Sequence, residues 1–320
     1  MRRILSFLLL ALCALTAHAQ WTVRKNGQHA FPKSIPAGNY SGIAWLGGER
    51  YAVVSDKGAD GFFLFDIATD SVSGEVLGAS CVDFRGSGLP GRDDEGVAYN
   101  PATGTVWISG EADNQIMEYG MDGRLTGRRL EVPEVLSHLP GNLGLEALSY
   151  NARTGSYWTC NEAGSIILQQ FGADLRARRA WRYELDGPVG RAERAQHYAH
   201  GVGTVCAMDD GSVLVLEREF YVPRMKIGAF VACKLFRVVP DGADCLSATG
   251  VADSKPLEKQ LLASWRTGLS LTGRSLANYE GMCLGPTLAD GSRVLLLVAD
   301  SQGQYAGVLR DWITSIKIKF

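Results

Sequence analysis

A short phrase recurs five times along this chain: a polar or acidic residue, a small residue, an apolar strand, a turn, a second apolar strand and a second acid. It runs from Ser41-Gly-Ile-Ala-Trp to Asp56, from Glu95-Gly-Val-Ala-Tyr to Glu111, and from Glu146-Ala-Leu-Ser-Tyr to Glu162. It continues from His200-Gly-Val-Gly-Thr to Glu217 and from Glu280-Gly-Met-Cys-Leu to Asp300. The leading residues are 54, 51, 54 and 80 positions apart, and each second acid follows its leader by 15 to 20. A period near fifty with paired strands in each unit is the mark of radial repetition.

The units read as strands throughout. In the second, Gly96–Asn100 alternates, Pro101 to Gly104 turns, Thr105–Ser109 is β-branched and aromatic, and Asn114–Tyr119 and Arg128–Val132 supply a third and fourth strand. The third unit repeats this with Ser165–Gln170 and Ala180–Leu185, and the fourth with Lys234–Val239. Gly86-Ser-Gly-Leu-Pro-Gly91 reads as a loop. The spacing predicts an all-β chain, a β-propeller of five or six four-stranded antiparallel blades. The doubt in number comes from 245–272, where Leu257–Trp265 is either the outer strand of the fourth blade or part of a degenerate extra one. Pairing Trp21–Val23 with Ile313–Phe320 would close the ring and remove two exposed edges.

Residues 1–19 carry Arg2 and Arg3, an apolar run from Leu5 to Leu15, and Ala17-His-Ala19, the pattern of a cleaved secretory signal. Residues 20–320 are then one exported domain, periplasmic or secreted, without a membrane span and expected to be a monomer. Leu12 before Cys13 argues against a lipid anchor. A net charge of −2 offers no basic excess for nucleic acid. Six cysteines follow the signal, and their spacing matches neither a disulfide scaffold nor a zinc site; Cys233 with Cys245 is the one pairing considered.

In a blade the first strand lies nearest the axis, and the second returns to the end where the first began. The two columns of acids should therefore meet at one mouth. Carboxylates gathered there raise one another's pKa unless a cation or interleaved basic side chains offset them. Asp56, Glu95, Glu146 and Glu280 are the expected ligands of a Ca²⁺ ion, which favours several hard oxygens. Glu111 and Glu162 are the candidate general bases. His200, Glu217, Arg218, Arg274 and Asp300 are the candidate contacts to a small anionic or ester substrate. There is no GxSxG elbow and no HExxH pair, so neither an α/β-hydrolase serine nor a zincin is expected.

Asp93-Asp-Glu-Gly-Val-Ala98, Asn142-Leu-Gly-Leu-Glu-Ala-Leu148, Leu216-Glu-Arg218, Asn278-Tyr-Glu-Gly-Met-Cys-Leu-Gly-Pro286 and Leu295-Leu-Leu-Val-Ala-Asp300 together resemble the exported bacterial family named for the esterase-like activity of phytase. The resemblance implies a propeller and a hydrolase of carboxyl esters or phosphoesters, and identifies no nucleophile. Asn142-Leu143-Gly144 lacks the arginine often found there, and Gly110-Glu111-Ala112 lacks the usual aromatic-Gly-Pro; Arg92 or Arg218 would then grip the anion. A non-enzymatic binding propeller and a metal-dependent lactonase-like propeller remain the alternatives, since propellers serve all three roles.

Overall fold

The computed structural model describes residues 21–140, 143–240, 246, 251, 253–270 and 273–320. The signal segment, Cys13, Asn142 and Cys245 lie outside them, and with Cys245 so does the proposed pairing with Cys233. Twenty strands form five four-stranded antiparallel sheets. Blade 1 holds β2 (Tyr40–Gly47), β3 (Arg50–Ser55), β4 (Ala59–Thr69) and β5 (Val76–Pro90). Blade 2 holds β6 (Asp94–Asn100), β7 (Thr105–Gly110), β8 (Gln115–Tyr119) and β9 (Leu125–Arg129). Blade 3 holds β10 (Leu145–Asn151), β11 (Ser156–Asn161), β12 (Ile166–Phe171) and β13 (Ala177–Tyr183). Blade 4 holds β14 (Ala195–Ala207), β15 (Val213–Pro223), β16 (Phe230–Val238) and β17 (Lys259–Gly268). Blade 5 holds β18 (Asn278–Thr287), β19 (Arg293–Asp300), β20 (Trp312–Lys319) and, as its outer strand, β1 (Thr22–Ala30).

The molecule is thus a five-bladed propeller. Lys259–Trp265 of the Leu257–Trp265 stretch falls in β17, the outer strand of blade 4, and the described residues form five blades. The ring closes as the sequence suggests, with Thr22 opposite Lys319 and Ala30 opposite Trp312. Two local readings change. The glycine-rich stretch 86–91 is strand as far as Pro90, because β5 pairs with β4 up to Ala59 opposite Pro90. Pro90 is tolerated because β5 is an outer strand, where a missing N–H breaks no inner ladder. The fourth strand of blade 2 is Leu125–Arg129, upstream of the expected Arg128–Val132.

Alternation along each strand sends apolar side chains to both faces of a blade, and each of the five blade-to-blade contacts has its own apolar cluster. Trp107 and Phe171 lie between blades 2 and 3, Trp158, Trp181 and Val215 between 3 and 4, and Leu216, Tyr279 and Leu297 between 4 and 5. Tyr51 and Val294 hold blades 5 and 1, and Phe62 and Ile108 hold blades 1 and 2. Four cysteines, Cys160, Cys206, Cys233 and Cys283, are buried free thiols in these layers.

Every inner strand carries a β-bulge, at Ser41, Glu95, Glu146 and Glu280 near the strand's start and at Gly203 well inside the longer β14, which is also irregular between Ala195 and His197. A bulge re-aims one side chain without altering the rest of the ladder, and here it turns four side chains, those of Ser41, Glu95, Glu146 and Glu280, toward the axis end, while Gly203 leaves its place empty. Just below, the inner strands abut backbone to backbone. A Cβ on Gly96 would sit 2.4 Å from the Leu148 nitrogen, and one on Gly42 would sit 2.6 Å from the Glu95 carbonyl oxygen. Even β2 and β10, on non-adjacent blades, come within 8 Å of each other. The channel therefore has a waist. Gly96→Ala should cost about 1–3 kcal/mol, as overpacking against backbone does, and urea denaturation would register it as a lower midpoint with an unchanged slope.

Candidate functional site

The bulges define one ring of five positions, and the residues that follow the second strands define another. The structure aligns them as Ser41 with Asp56, Glu95 with Glu111, Glu146 with Glu162, Gly203 with Arg218, and Glu280 with Asp300. This corrects the fourth unit. Its register pairs Val202 with Glu217 and Gly201 with Arg218, so the repeat positions are Gly203 and Arg218, and not His200 and Glu217. A shift of one residue along a strand moves a side chain to the opposite face. Arg218 accordingly points to the axis with the acids, while Glu217 points into the contact with blade 3.

Arg218 is the centre of the site. Its Nη2 lies 2.9 Å from Glu162 Oε1, 2.9 Å from Glu280 Oε1 and 3.6 Å from Glu146 Oε1. The guanidinium is 8% exposed. Burial works against its charge, yet the surrounding Glu280, Glu162 and Glu146 outweigh that and raise its pKa. Gly203 makes this possible: a Cβ there would stand 3.3 Å from Arg218 Cγ and 2.9 Å from the Tyr279 carbonyl oxygen. The unit that contributes a cation is the one whose bulge residue has no side chain.

One guanidinium does not balance the ring. Glu95, Glu146 and Glu280 are all buried, and burial pushes each carboxyl well above the ordinary carboxylate range, Glu280 to about 8. Neighbouring acids push further: Glu146, Glu280 and Asp56 act on Glu95, and Glu162 acts on Glu146. Asp300 rises to about 6 for the same reasons, burial and then Asp56, although the Gln302 backbone N–H donates to it. Asp56 is also raised by burial, partly offset by Lys57. Lys57, at the exposed edge, bridges Asp56 and Asp93 at 3.2 and 3.1 Å. Glu111 accepts the Gly144 backbone N–H at 3.0 Å, and burial still raises its pKa.

Eight of the eleven residues expected at the mouth are thus brought together: Asp56, Glu95, Glu111, Glu146, Glu162, Arg218, Glu280 and Asp300. Three stand elsewhere. Glu217 is buried where it accepts from Tyr183 Oη at 2.7 Å, Lys259 Nζ at 2.5 Å and the Asp186 N–H at 3.0 Å, a tie between blades 3 and 4. Arg274 is exposed in the connection from β17 to β18, and among the described residues it pairs with none of the ring acids. His200 lies beyond the ring on the extended β14–β15 hairpin, opposite Glu219, in a tight cleft with Arg218 and Lys234. Burial lowers its pKa.

Arg92 is also committed away from the mouth. It donates to both Asp113 oxygens at 2.8 and 2.9 Å and to Tyr119 Oη at 2.8 Å, and Tyr119 Oη donates to Asp60 at 2.6 Å. Asp94, beside this network, rises to about 7 through burial and the Asp60 charge. One mouth residue escaped the sequence reading. Asn278 Nδ2 donates to Glu280 at 2.7 Å while its buried Oδ1 has no partner. Its place opposite Asp300 in the ladder was visible only once the β18 bulge was known.

The fold and this ring define a propeller with one acidic mouth. Residues 35–302 match the family described as Phytase-like, esterase-like activity of phytase, and the chain belongs to that family. Solved structures similar to it include a luciferin-regenerating enzyme, 11% identical, covering 91% of this chain and 94% of that one with a TM-score of 0.44. A streptogramin B lyase is 12% identical over 93% and 98% of the two chains, with a TM-score of 0.40. Hydrazine synthase of Kuenenia stuttgartiensis is 8% identical over 90% and 88%, also with a TM-score of 0.40. No curated protein matches the sequence. No helix among the described residues is long and apolar enough to cross a membrane.

The charge shortage has a consequence for stability. Glu280, Asp300 and Asp94 hold their protons more tightly folded than unfolded, where acids release them near 3.8 to 4.5. Their contribution is therefore complete below that range and is lost as pH rises through about 6, 7 and 8. Without divalent cations the melting temperature should fall between pH 5 and pH 8.5, and Glu280→Gln should flatten the fall. Arg218→Met should cost about 3–5 kcal/mol at pH 8, since it strands buried carboxylates, and distinctly less at pH 5. A melting temperature that rises steadily from pH 5 to 8.5 would contradict this picture of the ring.

Proposed function

We propose that the protein is an exported hydrolase of small esters, carboxylic or phosphoric, that works at the acidic mouth. One observation carries the reading: Glu162 and the buried Glu280, whose proton affinity burial raises, both stand 2.9 Å from Arg218 Nη2 at one mouth. A buried carboxyl that holds its proton more tightly than usual is suited to act as a general acid. Glu162, held by Arg218, takes a proton from water as the water oxygen bonds to the ester carbon or phosphorus. Glu280 gives its proton to the departing oxygen as the ester bond breaks. Glu111, on the same rim, is the alternative base. Arg218 keeps Glu162 and Glu280 together on one guanidinium edge, and Lys57 at the exposed edge meets a substrate anion.

The donor set at blades 1, 2 and 5 also suits Ca²⁺. Asp56 Oδ1 and Asn278 Oδ1 are buried without partners, and Glu95 and Asp300 stand beside them short of positive charge. These four residues would hold the ion, by drawing together, because no three acidic, imidazole or thiolate groups among the described residues already enclose one point. When bound, such an ion supplies Lewis-acid polarisation of an ester oxygen and lowers the pKa of bound water. It would also displace the protons that the ring holds without it.

A binding propeller is the second reading, favoured because the cleft beside His200 and Arg218 leaves essentially no free volume. Purified protein assayed on short acyl and phosphate monoesters at pH 6–8 decides between them. Glu162→Gln and Glu280→Gln are expected to lower kcat at least a hundredfold, the scale of general acid–base catalysis. Ca²⁺ should raise the melting temperature of the parent and much less that of Asp56→Asn. Absence of turnover on either ester class, with and without Ca²⁺, would leave the binding propeller.

A further inference from the structure

A cavity of about 370 Å³ opens at the end of the propeller opposite the acids. The inner strands run from the ring through the waist to this end, so the residue four places after each bulge reaches its rim. Those residues are Trp45, Tyr99, Tyr150, Ala207 and Leu284, all lining the cavity. Three adjacent blades thus present aromatic rings and the other two present small or aliphatic side chains. The rings are only partly buried: each packs against an apolar cluster and leaves part of its surface uncovered. They are nonetheless fixed: the Trp45 indole N–H donates to the Gly48 carbonyl at 2.9 Å, and Tyr150 lies 4.5 Å from the Tyr157 ring centroid.

Blades 4 and 5 supply two opposite charges to the same cavity, Asp209 and Arg293. Asp209 Oδ1 accepts from Asn151 Nδ2 at 2.8 Å. Arg293 Nε and Nη2 both donate to the Gly285 carbonyl. The remaining atoms, Arg293 Nη1 and Asp209 Oδ2, form a long ion pair at 3.8 Å, beyond hydrogen-bond distance, that a ligand's own two charges would replace. Both groups are oriented by second partners, and each keeps one bonding direction open.

We propose that this cavity binds a small aromatic zwitterion of the α-amino-acid class. Its ring lies against Trp45, Tyr99 and Tyr150, its carboxylate meets Arg293 Nη1 and its ammonium meets Asp209 Oδ2. The volume falls within the range of about 300–1,000 Å³ usual for small-molecule sites, and the combination of apolar walls with a few oriented polar groups is equally usual. The charge pair sets the class. A lone carboxylate would meet Asp209 as well as Arg293, and a lone ammonium would meet Arg293 as well as Asp209. A ligand with both charges on neighbouring atoms satisfies both. The waist separates this cavity from the acid ring, so the inference stands independently of the ester reading.

Calorimetric titration of the purified protein tests it with four probes: L-tryptophan, tryptamine, indole-3-propionate and L-leucine. L-Tryptophan should bind saturably, and each of the others, lacking one charge or the ring, at least tenfold more weakly. Asp209→Asn should weaken L-tryptophan at least tenfold. Ala152→Trp, at an exposed rim position in the β10–β11 turn, should block binding while melting temperature and any ester turnover stay at parental values. No saturable binding of L-tryptophan, equal binding of either singly charged analogue, or undiminished binding to a folded Ala152→Trp variant would each overturn the proposal.

Discussion

Seven carboxyl groups cannot be crowded onto one axis end unless something offsets their mutual repulsion and lost hydration, and the guanidinium of Arg218 is what this chain uses. Its geometry suits the task. A planar group with five donors can face several carboxylates at once and remains charged when buried, as a lysine would not. Its Nη2 reaches both Glu162 and Glu280, so one side chain of blade 4 ties blade 3 to blade 5. A single cation nevertheless leaves most of the acids unpaired. Burial and mutual repulsion raise the proton affinity of Glu95, Glu146, Glu280 and Asp300, which is why the ring's charge and the protein's stability respond to the same pH range.

The repeat was legible because strand alternation, turn residues and a period near fifty all follow from the backbone. Five bulged hairpins need the same small and apolar residues at the same places, whatever the mouth does. The fourth unit was misaligned for an equally physical reason. Its sequence offers His200-Gly201 before an apolar run and Glu217 after one, which imitates the other units. The bulge falls instead at Gly203, three residues later, and the long β14–β15 hairpin has no counterpart in the other blades. A bulge is a backbone event without a residue signature of its own, so a one-residue offset cannot be read from acids and strands alone. The offset decided whether Glu217 or Arg218 faces the axis. It therefore decided the charge of the ring.

The same limit explains the misplacement of Arg274 and the early ending given to β5. Arg274 sits near the Glu280 unit in sequence, but it lies in the connection that leaves the outer strand β17, bridged back to Leu269, and β18 begins only at Asn278. Beyond Gly86, β5 has the glycine and proline composition of a loop, yet β4 extends alongside it and pairs with it. Composition describes what a segment can do by itself; an available edge changes what it does.

The pseudo-symmetry of the fold makes each departure from it informative. At the acid mouth four repeat positions carry carboxyls and the fifth carries Arg218, with Gly203 beneath it clearing the space. At the opposite end three positions carry aromatics and the other two do not. A propeller built only for stability has no use for such breaks, since identical blades would pack equally well. Both breaks involve blade 4, where Gly203 and Ala207 lie on one inner strand, four residues apart. Removing side chains from that strand opened room at one end for a guanidinium and at the other for the cavity. With glycine and alanine at those two positions, both ends depend on what the neighbouring strands place in the space β14 leaves.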